Sequence, residues 1–331
     1  MKSLITGGAG FVGSHIAERL INGGYGVIVL DNLFSGSMDN IHLLEKLAKE
    51  KGVPFEFHET DIREIDRTAR AFGKEVDSIF HLAAIVSVPY SMDHKKETED
   101  VNVGGTENML ALANDFGVKR FVNAGSAAEY GNEERLPVKE KYAKEGVQLS
   151  PYGETKFKAS WLTADAKSNG RYSSLRPFNI YGPRQDPKSP YSGVISIFID
   201  KSREGVSLPI LGDGSQTRDF IFVDDMVGAY LAAAGYDPDS EKIVVCQPAI
   251  SMDVDYPIFN VGTGKRVTIR ELAETINHIA ESKGGIDYKE KREGDIVHSV
   301  ADISKAVRHL GWKPEIGLRK GLEETVSYFT K

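Results

Sequence analysis

The sequence predicts an α/β fold, a parallel sheet wound on both faces with helices, and two observations carry the prediction. Short apolar runs alternate with helical periodicities through the first half of the chain, and a glycine-spaced turn joins the first strand to the first helix. Alternation of this kind, with Val/Ile/Leu-rich strands, implies a parallel sheet covered on both faces. "KSLIT", "YGVIVL", "PFEFHE", "SIFHLAA" and "RFVNAGS" read as strands. Between them, "FVGSHIAERLINGG", "NIHLLEKLAKEKG", "DIREIDRTARAFG" and "ETEDVNVGGTENMLALANDFG" read as helices, several closing on glycine as a C-cap does. After about residue 175 the punctuation changes, with a Pro/Gly/Ser-bearing loop in "RPFNIYGPRQDPKSPYSG" and turns in "LPILGDGSQTRDFIF". A smaller α/β lobe is expected there, joined without a flexible linker.

The chain has 331 residues, 40% hydrophobic and 27% charged, which suits an ordinary globular protein with a sizeable core. Its net charge of −7 argues against nucleic acid or an anionic membrane as the main partner. A single cysteine, Cys246, rules out an intrachain disulfide and makes a reducing compartment the default; in "IVVCQPAI" it reads as a packing residue. "MKSLIT" enters a strand pattern directly, and no apolar run approaches the roughly 18 residues of a membrane span. A cytoplasmic location is expected. No metal is expected to take part.

"TGGAGFVGSH" sets Gly7, Gly10 and Gly13 between the first strand and the first helix. The first glycine permits a tight turn, the second lets backbone approach a pyrophosphate, and the third packs helix on strand. The helix N-terminus then supplies free N–H groups and a positive dipole end. Asp31 ends the second strand, where an acid accepts hydrogen bonds from adenosine ribose hydroxyls and repels a 2′-phosphate. The "NLFSGS" that follows holds no Arg or Lys, so NAD is favoured over NADP. "TDIR" offers Asp61 and Ile62 to an adenine edge, and "HLAA" offers Ala83 and Ala84 where backbone passes close to the cofactor. All lie at strand carboxyl ends, where open α/β sheets bind ligands. The sheet is thus expected to be Rossmann-type, with 1–175 an NAD-binding domain and 176–331 mainly a ligand-binding lobe. Segments such as 258–262 are expected to return to the first domain.

"SPYGETKFKAS" places Ser150 and Pro151 as N-cap and first helical residue, so Tyr152 and Lys156 share one helix face. A free tyrosine ionises near pH 10, and a shift of about 3 units toward neutrality needs roughly 4 kcal/mol of phenolate stabilisation. A nearby lysine and a positive nicotinamide ring are the natural sources. Ser126 in "NAGSAAEYG", at the carboxyl edge of the fifth strand, supplies the hydroxyl for a substrate oxygen. Behind a dinucleotide loop, Ser126, Tyr152 and Lys156 form a hydride-transfer set.

With these motifs together, the chain resembles the extended short-chain dehydrogenase/reductase superfamily, and within it the NAD-dependent nucleotide-sugar epimerases, closest to the UDP-glucose 4-epimerases. "DNLFSG", "HLAAIVSVPYS", "NVGGTENML", "YGETK", "GDGSQTRDFIFVDD", "FNVGTG" and "REGDIVHSVADISKA" extend the resemblance over nearly the whole chain. The resemblance implies that Tyr152 takes the 4-hydroxyl proton, that Lys156 tunes it and holds the nicotinamide ribose, and that Ser126 steadies the oxygen. It adds Phe11, Val12, Asn32 and Asn102 to the cofactor side, Asn102 having the plainer reading of a hydrogen bond at a helix start. On the substrate side it adds Ser87, Asn179 and Arg218, Arg292 for a diphosphate, and Asp295 for a uridine ribose. The implied partner is a UDP-sugar. A homodimer is implied through helices around 101–116 and 151–169, the second carrying Phe157, Trp161 and Leu162, a stripe that reads equally as core.

Three departures stand out. Ala127 and Ala128 follow Ser126 where related 4,6-dehydratases carry Asp-Glu and UDP-glucuronate decarboxylases a glutamate at the second position, which disfavours both chemistries. A 4-reductase or an inactive dinucleotide-bound sensor are the remaining alternatives to a 4-epimerase. Glu129 stands where the family commonly has an apolar residue, and the sequence supplies no reason for it. Ser299, seven residues after Arg292, is small where a bulky residue restricts the sugar, so acceptance of N-acetylated sugars is expected.

Overall fold

The computed structural model describes residues 2–73, 75–166, 170–186, 193–237, 256–291 and 296–330. Strand β1 (Lys2–Thr6) leads into α1 (Phe11–Asn22), β2 (Gly26–Asp31), α2 (Met38–Lys51), β3 (Phe55–Glu59), the short α3 (Ile65–Ala69) and β4 (Val76–His81). Helices α4 (Val88–Asp93) and α5 (Lys95–Glu99) precede α6 (Gly105–Asp115), β5 (Arg120–Ala124), α7 (Pro151–Ala164) and β6 (Arg171–Pro177). Then come β7 (Asn179–Tyr181), α8 (Val194–Arg203), β8 (Leu208–Leu211), β9 (Thr217–Arg218), β10 (Phe220–Phe222) and α9 (Val223–Ala234). The rest comprises β11 (Ile258–Val261), β12 (Val267–Thr268), α10 (Ile269–Ile279), β13 (Ile286–Lys289), α11 (Ser304–Leu310) and α12 (Leu318–Thr330).

Seven strands form the central sheet in the order β11-β6-β5-β4-β1-β2-β3, every pair parallel. The chain moves outward from β1 in one direction, returns to β4 and proceeds in the other. This reversal opens a crevice at the carboxyl ends of β1 and β4. One face is covered by α1, α2 and α9, whose Ile16, Leu20, Leu44, Met226 and Leu231 are fully buried against Ile5, Val29 and Phe80 of the sheet. Against the other face lies α6, with Met109, Leu112 and Ala113 packed on Leu4, Ile79 and Phe121. The fold class read from the alternating runs is thus the observed one, a Rossmann-type sheet.

A second cluster, joining Ile195, Phe198 and Ile199 of α8 to Leu272 and Ile276 of α10 and Leu322 of α12, forms the core of the smaller lobe. Its pairs are short: β7 with β10 and β8 with β13 run parallel, and β9 with β12 antiparallel.

One helix is shorter than its periodicity predicts, and another changes its winding midway. In "DIREIDRTARAFG" only Ile65–Ala69 is α-helical, because the Asp61 carboxylate accepts the Arg63 amide at 2.9 Å and ties the preceding residues into a turn. The run from 97 to 117 is interrupted by a π-helical turn at Asp100–Gly104.

Candidate active site

Gly10 caps α1 without any side-chain hydrogen bond, and the first turn of the helix carries no acid. Its leading amides are thus left for an anion. The neighbouring glycines are required by close packing. Gly7 has φ +71°, and a Cβ on it would sit 2.8 Å from the Ala83 nitrogen; a Cβ on Gly13 would sit 2.2 Å from the Gly7 carbonyl oxygen. Phe11 and Val12 flank this turn, half-buried. Asp31 is 8% exposed and accepts the amides of Ala9 at 3.0 Å and Leu33 at 2.8 Å, while burial pushes its carboxyl up. Asn32 Nδ2 donates to Asp61 at 3.0 Å, and Arg63 holds the Asp61 carboxyl below its usual range. Ile62 is buried under α6, where a Cβ on Gly105 would meet it at 2.3 Å. Ala83 and Ala84 line the start of the loop after β4, the Ala83 amide held by Thr6 Oγ1 at 3.2 Å.

Ser126, Tyr152 and Lys156 converge at the carboxyl end of β5. Ser150 caps α7 by accepting the Gly153 amide at 3.2 Å, with Pro151 as the first helical residue. One turn in, the buried Lys156 donates from Nζ to the Ala124 carbonyl oxygen at 2.8 Å. Burial lowers Lys156 to about 8. Tyr152 is pushed up to about 12 by burial, against a hydrogen bond with Ser126 that favours the phenolate. Without an added positive charge the phenol therefore stays protonated at neutral pH.

Asn102 sits in the π-helical turn. Its Oδ1 accepts the Ile85 amide at 2.8 Å, and its Nδ2 donates to the Ile85 carbonyl and Thr155 Oγ1, both at 3.0 Å. It therefore lies within a continuous helical run, not at a helix start, and ties the loop after β4 to the residue next to Lys156. His81 bridges Thr6 at 2.8 Å and Thr106 at 3.0 Å, and burial beside Lys156 lowers it to about 3.

Of the residues expected on the substrate side, Ser87 is buried and caps α4 by accepting the Tyr90 amide at 3.0 Å. Asn179 is exposed at the start of β7, its amide bonded to the Asp219 carbonyl oxygen at 3.0 Å. Arg218 donates to the Thr217 carbonyl at 2.9 Å. The Ser299 amide donates to that same carbonyl at 3.1 Å, so Arg218 and Ser299 stand side by side. Arg292, Asp295 and Cys246 lie outside the described residues. Beside Arg218, Asp219 is fully buried. It accepts from Thr263 N at 2.7 Å, Thr263 Oγ1 at 2.6 Å, Gly264 N at 3.0 Å and Ala301 N at 3.1 Å. The stripe of α7 is partly used within the chain, Phe157 packing near Tyr130 and Phe178, and Trp161 meeting Tyr256 edge-on at 4.4 Å.

Residues 3–246 match the model of the NAD dependent epimerase/dehydratase family. This chain belongs to that family. A UDP-glucose 4-epimerase of Mycolicibacterium smegmatis is 34% identical over 99% of this chain and 98% of its own length. UDP-glucuronic acid decarboxylase 1 of Arabidopsis thaliana is 33% identical over 99% of this chain and 70% of its own length. A solved UDP-N-acetylglucosamine 4-epimerase from Methanobrevibacter ruminantium, in complex with UDP-N-acetylmuramic acid, superposes with a TM-score of 0.84 at 32% identity, covering 99% of this chain and 98% of that one.

The cofactor of an NAD-dependent epimerase/dehydratase fits what the crevice offers: an uncapped helix start, glycines that no side chain could replace, and a buried acid at the end of β2. Sequence reasoning left one residue of this epimerase/dehydratase unexplained. Glu129 is fully buried, with Oε1 2.8 Å from the Ser126 amide nitrogen and Oε2 2.5 Å from Arg176 Nε. A lone acid in an alanine-flanked turn carries no pattern from which its distant partner could be read. No helix among the described residues is long and apolar enough to cross a membrane.

Proposed function

We propose that the chain inverts C4 of UDP-glucose and UDP-galactose, and that it also accepts UDP-N-acetylglucosamine and UDP-N-acetylgalactosamine. The convergence of Ser126, Tyr152 and Lys156 at the end of β5 carries the proposal. Tyr152 Oη takes the proton of the sugar 4-hydroxyl and later returns it. Ser126 holds the same oxygen by its hydroxyl. Lys156 lies one helical turn on, where its ammonium favours the phenolate and is held by the Ala124 carbonyl. Gly7, Gly10, Phe11, Val12, Gly13, Asp31, Asn32 and Asn102 belong to the cofactor side of the crevice. Bound NAD would supply the hydride acceptor, and on the return the donor, at C4. Inversion then requires only that the 4-keto sugar present its opposite face before the proton and hydride come back.

Arg218, Asn179 and Ser299 on the smaller lobe hold the diphosphate and the sugar, joined by Arg292 and Asp295. Ala127 and Ala128 provide no second proton carrier beside Ser126 for elimination or decarboxylation. The domain division near residue 175, a homodimer through α6 and α7 and a cytoplasmic setting complete the proposal.

The test is incubation of the purified protein with UDP-galactose and, separately, UDP-N-acetylgalactosamine, without reductant, followed by separation of the products. Conversion to the 4-epimers with no net NADH absorbance supports the proposal. NAD-loaded protein that converts neither, or that accumulates 4-keto or decarboxylated products, refutes it.

A further inference from the structure

The Glu129–Arg176 pair is sealed behind Ser126, with side chains 0% and 1% exposed. Burying two charges costs more than an apolar pair of similar volume would, so the core does not call for them. What the pair holds is the turn that carries Ser126. Glu129 Oε1 accepts the Ser126 amide at 2.8 Å and Ser160 Oγ at 2.8 Å. Arg176 anchors the other oxygen and reaches the Glu140 carbonyl at 3.1 Å and the Tyr130 hydroxyl at 3.3 Å. Gly125 allows the approach: a Cβ there would come within 2.6 Å of Glu129 Oε1. Ser126 Oγ meanwhile accepts the Ala128 amide at 3.1 Å, closing a capping box with Glu129. With one lone pair engaged by that amide, the hydroxyl keeps its proton for another partner, and Tyr152 is hydrogen-bonded with it.

We infer that Glu129, braced by Arg176, is a positioning residue that fixes the Ser126 turn and so the direction in which Ser126 donates its hydroxyl proton. The inference rests on the reading that Ser126 and Tyr152 act on the sugar oxygen. Glu129 does not touch substrate; it works through Ser126. Its charge also raises both Tyr152 and Lys156, an influence that the set must carry alongside the positioning.

The experiment uses NAD-loaded Glu129→Val and Glu129→Gln proteins, Ser126→Ala, and the Ser126→Ala/Glu129→Val double variant. Hydrogen exchange of the 124–131 backbone is read first, without substrate. Loss of a hydrogen bond to a charged acceptor predicts at least about tenfold faster exchange at Ser126 in Glu129→Val. Unchanged exchange overturns the inference whatever the enzyme's substrate. Epimerisation of UDP-galactose is read second: kcat in Glu129→Val falls by about tenfold or more with KM within about threefold, and the double variant is no slower than Ser126→Ala alone. Losses that multiply in the double variant overturn the inference, because they show Glu129 acting other than through Ser126. If Glu129→Val does not fold, Glu129→Gln answers instead: its neutral oxygen is a weaker acceptor, so exchange at Ser126 rises and kcat falls, each by less than about tenfold, and values equal to wild type overturn the inference. A wild type that leaves UDP-galactose untouched refutes the functional proposal alone, and the exchange result still decides the positioning.

Discussion

The Asp31 carboxylate accepts the Ala9 amide at 3.0 Å, which makes the acid at the end of β2 and the glycine loop after β1 one unit. Asp31→Asn removes the charge that a ribose diol would bond and weakens the tie to the loop. Hydrogen bonds to charged groups contribute about 1.5–3 kcal/mol, so NAD affinity is expected to fall roughly 10- to 100-fold. Calorimetric titration of NAD into stripped protein checks this; an unchanged affinity would place the ribose elsewhere.

Gly13→Ala sets a methyl group 2.2 Å from the Gly7 carbonyl oxygen and 2.8 Å from Gly8 Cα. Backbone cannot yield there as a flexible side chain would. The variant is expected to lose about 1–3 kcal/mol of stability and to purify with less bound NAD than wild type. Chemical denaturation and the absorbance of released nucleotide measure the two effects together.

Tyr152→Phe deletes the proposed proton carrier and leaves α7 intact. Turnover should fall by about 10²- to 10⁴-fold while bound NAD is unchanged. If the phenylalanine variant keeps even a tenth of wild-type turnover, another group is the base.

His15, which bonds Pro183 O at 3.0 Å from the second turn of α1, is lowered to about 4, chiefly by burial and secondarily by Arg184. In the unfolded chain it titrates near 6.5. Between these values the unfolded state binds the extra proton, so stability is lost as pH falls from about 6.5 toward 4, by at most ~1.4 kcal/mol per pH unit from this group. His15→Gln should flatten that part of the acid limb in urea titrations at successive pH values. Parallel curves for the two proteins would show that His15 is not the group responsible.

Ser299 is half-buried beside Arg218. In Ser299→Tyr, turnover of UDP-N-acetylgalactosamine is expected to drop at least tenfold relative to UDP-galactose, about 1.4 kcal/mol of added discrimination. Equal retention of both activities would mean that residue 299 does not bound the sugar pocket.

β1, β2, β4 and β5 were legible because each carries a run of apolar residues, as parallel strands buried on both faces do; the edge strand β3 instead alternates Phe with polar residues, none of them buried. β6 was not, since "RYSSLRP" looks polar. Its Ser174 is nonetheless fully buried and satisfied by Asn123 at 3.0 Å and Ser160 at 2.9 Å, so side-chain hydrogen bonds replace apolar contact there. β11 lies far along the chain from the other strands, yet the expected return of 258–262 to the first domain is met by its parallel pairing with β6. The glycine loop, Asp31, Tyr152 and Lys156 could be singled out as candidates because the chemistry proposed for them requires fixed spacing along the chain. The Glu129–Arg176 pair could not, because two residues 47 positions apart meet only through folding.

The edge strand β11, at residues 258–261, pairs with β6. During synthesis, everything before it emerges first, yet β6 keeps a bare row of N–H and C=O groups until residue 261 has cleared the ribosome. Such an edge invites pairing with any extended segment nearby. The central sheet therefore cannot be completed ahead of the remainder, and a chain cut after residue 177 would leave the ribosome with a sticky flank.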